Sequence, residues 1–145
     1  MANKKKNNTT ILSQNSPLLR RALNQQANSE TDDLPVTNKR EILLLIRGMV
    51  ERLVMKDGDV FKLGRYELSS NPKEIDLTPY GAADRGVSRE HAQIHIKDDT
   101  VYITDLSSTN GTFVLGTKID PNTPTILRKG NELLLGRLAV QVMFR

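Results

Sequence analysis

The chain has 145 residues, no cysteine and a formal net charge of +4. That length suits one domain with a tail, and the missing cysteines exclude disulfides, a thiol nucleophile and a Cys-ligated metal. The charge is uneven: residues 1–40 hold seven Lys/Arg against three Asp/Glu, giving +4, whereas residues 41–145 hold fourteen of each, giving zero.

Residues 1–38 read as a disordered, basic tail. Lys4, Lys5 and Lys6 would suit the start of a signal peptide, but Asn7, Asn8, Thr9 and Thr10 follow where an apolar run is required. The segment is rich in Asn, Gln, Ser and Thr and has no aromatic residue, so it cannot bury enough surface to offset its ordering entropy. Within it, Ser16 suits an N-cap and Pro17 the first helical position. Leu18, Leu19, Ala22 and Leu23 share a helical face, which predicts a short helix to about Asn28. Alone, such a helix is marginal in water.

From Lys39 the texture becomes that of short strands. Ile42–Ile46 reads as a buried strand ending before Gly48, and it is the longest aliphatic run, far too short to span a bilayer. The chain is therefore read as soluble and cytoplasmic, with no membrane partner. Val50–Met55 follows, then a turn over residues 56–59 into Val60–Leu63. Ile75–Leu77 precedes a loop from Thr78 to Gly86. Ala92–Lys97 and Thr100–Asp105 alternate with period two and are joined by Asp98-Asp99 as a hairpin. Thr112–Leu115, Lys118-Ile119, Glu132–Leu135 and Leu138–Phe144 complete the set. Many short strands separated by Gly, Asn, Asp and Pro turns predict an all-β sandwich over 39–145, with no strong helix after residue 40.

The chemistry concentrates in three places. Asp105-Leu106-Ser107-Ser108-Thr109-Asn110-Gly111-Thr112 is crowded with hydroxyls and ends in a strong turn signal, a tip suited to an oxyanion; Asn110-Gly111 is expected to turn the chain as a hairpin. Upstream lie Gly64-Arg65 and Ser88-Arg89-Glu90-His91. A phosphorylated side chain carries about −1.5 to −2 charges and three acceptor oxygens. Arg65 and Arg89 can meet them with charge-assisted bonds, and Ser88 and Thr109 can each offer a hydroxyl and a backbone N–H. Asn110 can bridge a peptide main chain through its amide.

In this order, and together with Gly130 and Leu135-Gly136, these segments resemble a forkhead-associated (FHA) domain over roughly residues 42–145. The resemblance implies a sandwich of about eleven strands whose loops, at one end, bind phosphothreonine peptides. It implies Arg65, Ser88, Arg89, Thr109 and Asn110 as peptide-contacting residues. Gly64, His91 and Gly111 would be architectural, with His91 bracing the loops from beneath. Tyr80 and Arg85, in the segment before Ser88, would help read residues beyond the phosphothreonine. The implied role is an adaptor in Ser/Thr-kinase signalling, without cofactor or catalysis, whose partner is a phosphothreonine protein such as a kinase or its substrate. Thr9 and Thr31, each three residues before a leucine (Leu12 and Leu34), and the second flanked by Asp32 and Asp33, raise self-recognition of a phosphorylated tail, against the plainer reading of ordinary tail threonines. Two departures from the family pattern touch turns: Leu115-Gly116 where Asn-Gly is frequent, and Asn131 where Asp is common.

Rival readings fare worse. Ser88, His91 and Asp105 have the residue types of a catalytic triad, but no Gly-x-Ser-x-Gly elbow surrounds Ser88. His91 and His95, on one face of a strand, would sit about 13 Å apart, too far to share a metal ion. The basic tail suits nucleic acid, yet the domain has neither basic excess nor a stacking platform. Binding of unphosphorylated partners through another sandwich face remains the main alternative.

Overall fold

Apolar and polar residues alternate through Ala92–Lys97 and Thr100–Asp105, and the fold uses that alternation directly. Ala92, Ile94, Ile96, Val101 and Ile103 are buried, while the residues between them face outward. A computed structural model describes residues 39–144. The expected tail over 1–38, its helix from Ser16, and Thr9 and Thr31 lie outside the described residues.

The strands in chain order are β1 (Arg40–Ile46), β2 (Met49–Met55), β3 (Val60–Gly64), β4 (Glu74–Asp76), β5 (Ala92–Lys97), β6 (Thr100–Asp105), β7 (Thr112–Val114), β8 (Thr117–Lys118), β9 (Thr125–Ile126), β10 (Glu132–Leu135) and β11 (Leu138–Phe144). A single 3-10 turn, Thr78–Tyr80, is the only helical element among the described residues. One sheet has six strands in the order β2-β1-β11-β10-β7-β8 and the other has five in the order β4-β3-β5-β6-β9. The sheets enclose one core. Ile42, Leu44, Leu53, Leu133, Leu135, Val140 and Val142 come from the first, and Phe61, Leu63, Ile94, Ile96 and Ile103 from the second. This is the all-β sandwich the sequence predicts. The strand it does not reveal is β9, two residues directly after Pro124 that pair with Tyr102 and Ile103; a strand so short has no period to detect.

The two ends of the sandwich differ. At one end lie the tight turns Asp98-Asp99 (φ 51 and 63) and Leu115-Gly116 (φ 52 and 82), in which both residues are left-handed, as two-residue hairpins require. Leu115 thus fills a position that Asn takes with less strain. Arg40, opening β1, donates to the Asp99 carboxylate at this end. At the other end lie the β3–β4, β4–β5 and β6–β7 connections and the β10–β11 turn.

Asn110-Gly111 does not make the expected hairpin. β6 belongs to the five-stranded sheet and β7 to the six-stranded one, so the intervening loop crosses between sheets. Only Gly111 of the pair has a positive φ, 87°. The loop is held by the Asp105 side chain rather than by ladder pairing.

Candidate functional site

Gly64 ends β3 where a second chain segment crosses it. A Cβ there would stand 1.9 Å from the Arg89 carbonyl oxygen, so the crossing admits only glycine. Next, the Arg65 backbone N–H donates to Ser88 O at 3.2 Å and its Nε to Val87 O at 2.6 Å. The guanidinium is thereby oriented by its base, and Nη1 lies 3.7 Å from the Glu67 carboxylate. Glu67 and Leu68 adopt φ values of 52° and 80°, and Leu68 is 95% exposed. Asp76 holds this unusual backbone. Its carboxylate accepts the N–H groups of Tyr66, Glu67, Leu68 and Thr78, and the Thr78 hydroxyl at 2.6 Å. Burial pushes the Asp76 carboxyl upward, but these donors prevail and hold it below the usual carboxylate range.

His91 is fully buried beneath the loops. Its Nδ1 accepts the Ser88 N–H at 3.0 Å, and its Nε2–H donates to Gly111 O at 2.9 Å. This pattern requires the neutral Nε2–H tautomer. Burial lowers the proton affinity of the ring, against the opposing pull of the Gly111 carbonyl and Asp105. One ring therefore ties the β4–β5 connection to the β6–β7 connection. The same ring turns inward ahead of β5, whereas His95 faces outward and stacks on Tyr102 at 5.1 Å. The two histidines do not share a face as the sequence suggested, and both ring nitrogens of His91 are occupied by backbone partners.

Asp105 shapes the facing loop. Its buried carboxylate accepts the hydroxyls of Ser108 and Thr112, each at 2.6 Å, and the Ser108 N–H at 3.1 Å. Burial raises its proton affinity, but those donors and His91 outweigh it and hold the carboxyl below the usual carboxylate range. The loop then offers Thr109, whose N–H donates to Ser88 Oγ at 3.0 Å. This corrects one expectation. The backbone N–H groups of Ser88 and Thr109 are already engaged within the protein, so their hydroxyls are what remain for a ligand. It also disposes of the triad, because no hydrogen bond joins Ser88 Oγ to the His91 ring.

Asn110 lies beside the β4–β5 connection. Its Nδ2 donates to Gly86 O at 3.0 Å, leaving Oδ1 unused. Gly86 has φ 74°, and a Cβ there would lie 2.4 Å from the Asn110 amide. Residues 85 and 86 are in turn fastened from the β10–β11 turn: the Arg137 N–H donates to Arg85 O at 2.7 Å, while the Gly136 N–H donates to Gly111 O at 2.9 Å. Arg89 is exposed and has no hydrogen-bond or salt-bridge partner among the described residues. Tyr80 behaves otherwise than expected. Its ring packs against the core and its hydroxyl donates to Glu51, so it anchors the segment rather than standing free. Burial and that carboxylate push its phenol above the ordinary value.

Arg65, Ser88, Thr109 and Asn110 thus come together from separate connections, joined through Val87, Gly86 and one another. Sequence reasoning missed Asp76 and Asp105 as the organisers of these loops. The local signals were present, since Asp76-x-Thr78 and Asp105-x-x-Ser108 each place a hydroxyl within reach of the carboxylate.

The family profile described as "FHA domain" matches residues 61–136. The chain belongs to the FHA domain family. An uncharacterised Schizosaccharomyces pombe protein is 35% identical over 86 residues, 57% of this chain and 28% of that protein. Protein FraH of Nostoc sp. is 33% identical over 66 residues, 46% of this chain and 22% of that protein. The chain thus spans about a quarter of the length of these curated relatives. A solved structure from a structural and functional analysis of phosphothreonine-dependent FHA domain interactions is 25% identical, with a TM-score of 0.55, covering 72% of this chain and 97% of that chain. FHA domains are phosphothreonine-binding modules rather than enzymes, and the matched span of this one contains Arg65, Asp76, Ser88, Arg89, His91, Asp105, Thr109 and Asn110.

Proposed function

We propose that residues 39–145 read phosphothreonine in partner proteins, with Arg65, Ser88, Arg89, Thr109 and Asn110 as the contact set, and act as an adaptor in cytoplasmic Ser/Thr-kinase signalling. The observation that carries this reading is the convergence of Arg65, Ser88, Thr109 and Asn110 on one edge, with cationic and hydroxyl groups still available to an anion. Arg65 is oriented through Nε and presents the rest of its guanidinium, restrained only by the loose contact to Glu67. Ser88 and Thr109, joined by the Thr109 N–H to Ser88 Oγ bond, would supply the hydroxyls. Arg89, in the β4–β5 connection beside Ser88, adds a guanidinium without a partner among the described residues. A phosphate dianion gains most from such charge-assisted donors. Asn110, fixed through Nδ2, retains Oδ1 to accept a main-chain N–H of the ligand. The partner is a phosphothreonine-bearing kinase or kinase substrate.

The test is a phosphothreonine peptide library offered to the full chain, with phosphoserine and unphosphorylated versions as controls. Phosphothreonine peptides are expected to bind best and unphosphorylated ones poorly. Equal binding of phosphorylated and unphosphorylated peptides would overturn the reading in favour of phospho-independent recognition through another face.

A further inference from the structure

The end of the sandwich remote from Arg65 holds an open groove of about 380 Å³. The Asp98-Asp99 turn, the stretch after β9 and the end of β11 enclose it, and backbone bonds bring them together. The Leu127 N–H donates to Val101 O at 2.8 Å, and the Gly130 N–H donates to Val142 O at 2.7 Å. The apolar part of the lining includes Phe144, half-buried, and Ile126, 44% exposed.

The charged part of the lining is Arg40, Asp99, Arg128 and Lys129. Arg40 and Asp99 satisfy one another at 3.1 Å. Arg128 is held through its backbone, its N–H donating to Asn131 Oδ1 at 2.8 Å. Salt bridges among the described residues involve neither the Arg128 nor the Lys129 side chain, and both residues are exposed. The groove therefore carries two cations in excess beside an exposed apolar strip. It suits an occupant that is acidic and aliphatic at once.

The sequence just before β1 has that character. Glu30, Asp32 and Asp33 are the acidic residues of 1–39, and no Lys or Arg lies between Arg21 and Lys39. Leu34 and Val36 follow directly. Only Thr37, Asn38 and Lys39 separate Val36 from Arg40, which itself lines the groove. Four residues span at most ~14 Å and eight at most ~29 Å, so Val36 and Asp32 are both within reach. Pro35 fixes its own φ and steers Leu34 towards extended backbone, which lowers the entropy lost on docking. In an extended chain Leu34 and Val36 fall on one side.

We propose that residues 32–36 occupy this groove in the same molecule, with Asp32 and Asp33 beside Arg128 and Lys129, and Leu34 and Val36 over Ile126 and Phe144. The inference does not depend on the phosphothreonine reading, because the groove lies at the opposite end from Arg65. It does bear on self-recognition. A docked segment keeps Thr31 at the far end, so a phosphate on Thr31 is open to the site of a second molecule rather than to its own.

The experiment uses the full chain with Thr31→Cys, whose thiol is unique because the chain has no other cysteine, and a nitroxide attached there. Paramagnetic broadening of backbone amide signals reports which residues lie near the label. Signals of Thr100, Val101 and residues 126–129 are expected to be lost. Asp32→Lys with Asp33→Lys should restore those signals, and so should Arg128→Asp with Lys129→Asp. All four changes together should bring the broadening back, a result that loss of folding cannot produce. Leu34→Ser with Val36→Ser should weaken it. Broadening confined to the residues next to Arg40 would overturn the docking, as would broadening centred on Arg65, Ser88 and Asn110. Broadening that persists in either charge-reversed pair, or fails to return in the combined variant, would overturn the charge pairing. In a mixture of spin-labelled and isotope-labelled molecules, undiminished broadening at 126–129 would make the occupant a second copy and overturn the assignment to the same molecule.

Discussion

Leu115-Gly116 and Asp105–Thr112 both redirect the chain with a glycine at positive φ, yet by different means. Leu115-Gly116 is closed by backbone conformation and backbone hydrogen bonds, Val114 pairing with Thr117 and the Leu115 N–H donating to Glu132 O, and the Leu115 side chain stands in solvent. The Asp105–Thr112 loop takes its shape from a buried carboxylate and from His91 beneath it. The contrast extends to the two ends of the sandwich. One end is made of local turns that need little beyond their own dihedral angles. At the other, Asp76, His91 and Asp105 hold long connections through a few buried polar contacts. Changes at the first end should touch stability alone, and changes at the second should reach binding.

The largest expected effect probes the presenting side chain rather than its support. Arg65→Ala should cost about 2–5 kcal/mol of phosphopeptide binding, the range for removing one partner of a hydrogen-bonded charge pair. Circular dichroism should show the fold retained, because the Arg65 backbone bond to Ser88 survives. Unchanged affinity in a folded Arg65→Ala variant would break the site assignment. Asp105→Ala comes next. It strips the acceptor from two hydroxyls and an N–H, so denaturant unfolding should show a loss of roughly 2–4 kcal/mol, with weakened binding. Asp105→Asn, which keeps one acceptor oxygen, should lie between. A native-like midpoint for the alanine variant would remove the distinction between the two ends.

His91→Ala should lower stability by roughly 1–3 kcal/mol and weaken phosphopeptide binding in parallel, because the brace serves both loops. A large binding loss with an unchanged unfolding midpoint would argue for direct ligand contact instead. The pH dependence follows from the same ring. His91 has a lowered proton affinity in the fold, so the unfolded chain takes up the proton first. Its stabilisation is complete above the ordinary value of 6.5 and is lost as pH falls through the lower folded value. His95, lowered by burial and by Lys97, acts in the same direction. Asp76 and Asp105 lose their contributions later, as pH falls from the ordinary 3.8 through their lowered values. In urea titrations the slope of stability against pH just below 6.5 should be shallower in His91→Ala but not abolished. The smallest effect belongs to the far end. Leu115→Asn should stabilise by about 0.5 kcal/mol, since Asn tolerates the left-handed conformation, and phosphopeptide affinity should stay unchanged.

The sequence makes the far end more legible than the site end. Alternation in β5 and β6, with Asp98-Asp99 between them, is a local pattern, and the hairpin forms where it predicts. Arg65, Ser88 and Asn110 are identifiable because the spacing of short motifs survives in one dimension. Their internal engagements are not. That Ser88 N–H meets His91 Nδ1, that Thr109 N–H meets Ser88 Oγ, and that Tyr80 reaches Glu51 depend on segments brought together only by the closed sandwich. Asn110-Gly111 misleads for a related reason. The dipeptide permits a hairpin, but pairing partners decide whether one forms, and β7 finds its neighbours in the other sheet.

Because β1 and β11 are antiparallel neighbours, with Ile42 opposite Phe144, the start of one lies beside the end of the other. The Arg40 guanidinium even sits over the Phe144 ring, 5.6 Å from its centre. Both lie at the end remote from Arg65 and Asn110. The domain is therefore suited to circular permutation. A short linker from residue 144 to residue 39, with new termini opened at Leu115-Gly116, would leave the β3–β4, β4–β5 and β6–β7 connections uncut. By the same geometry, a reporter or surface tether joined near either of these residues would hold those loops outward, away from the support.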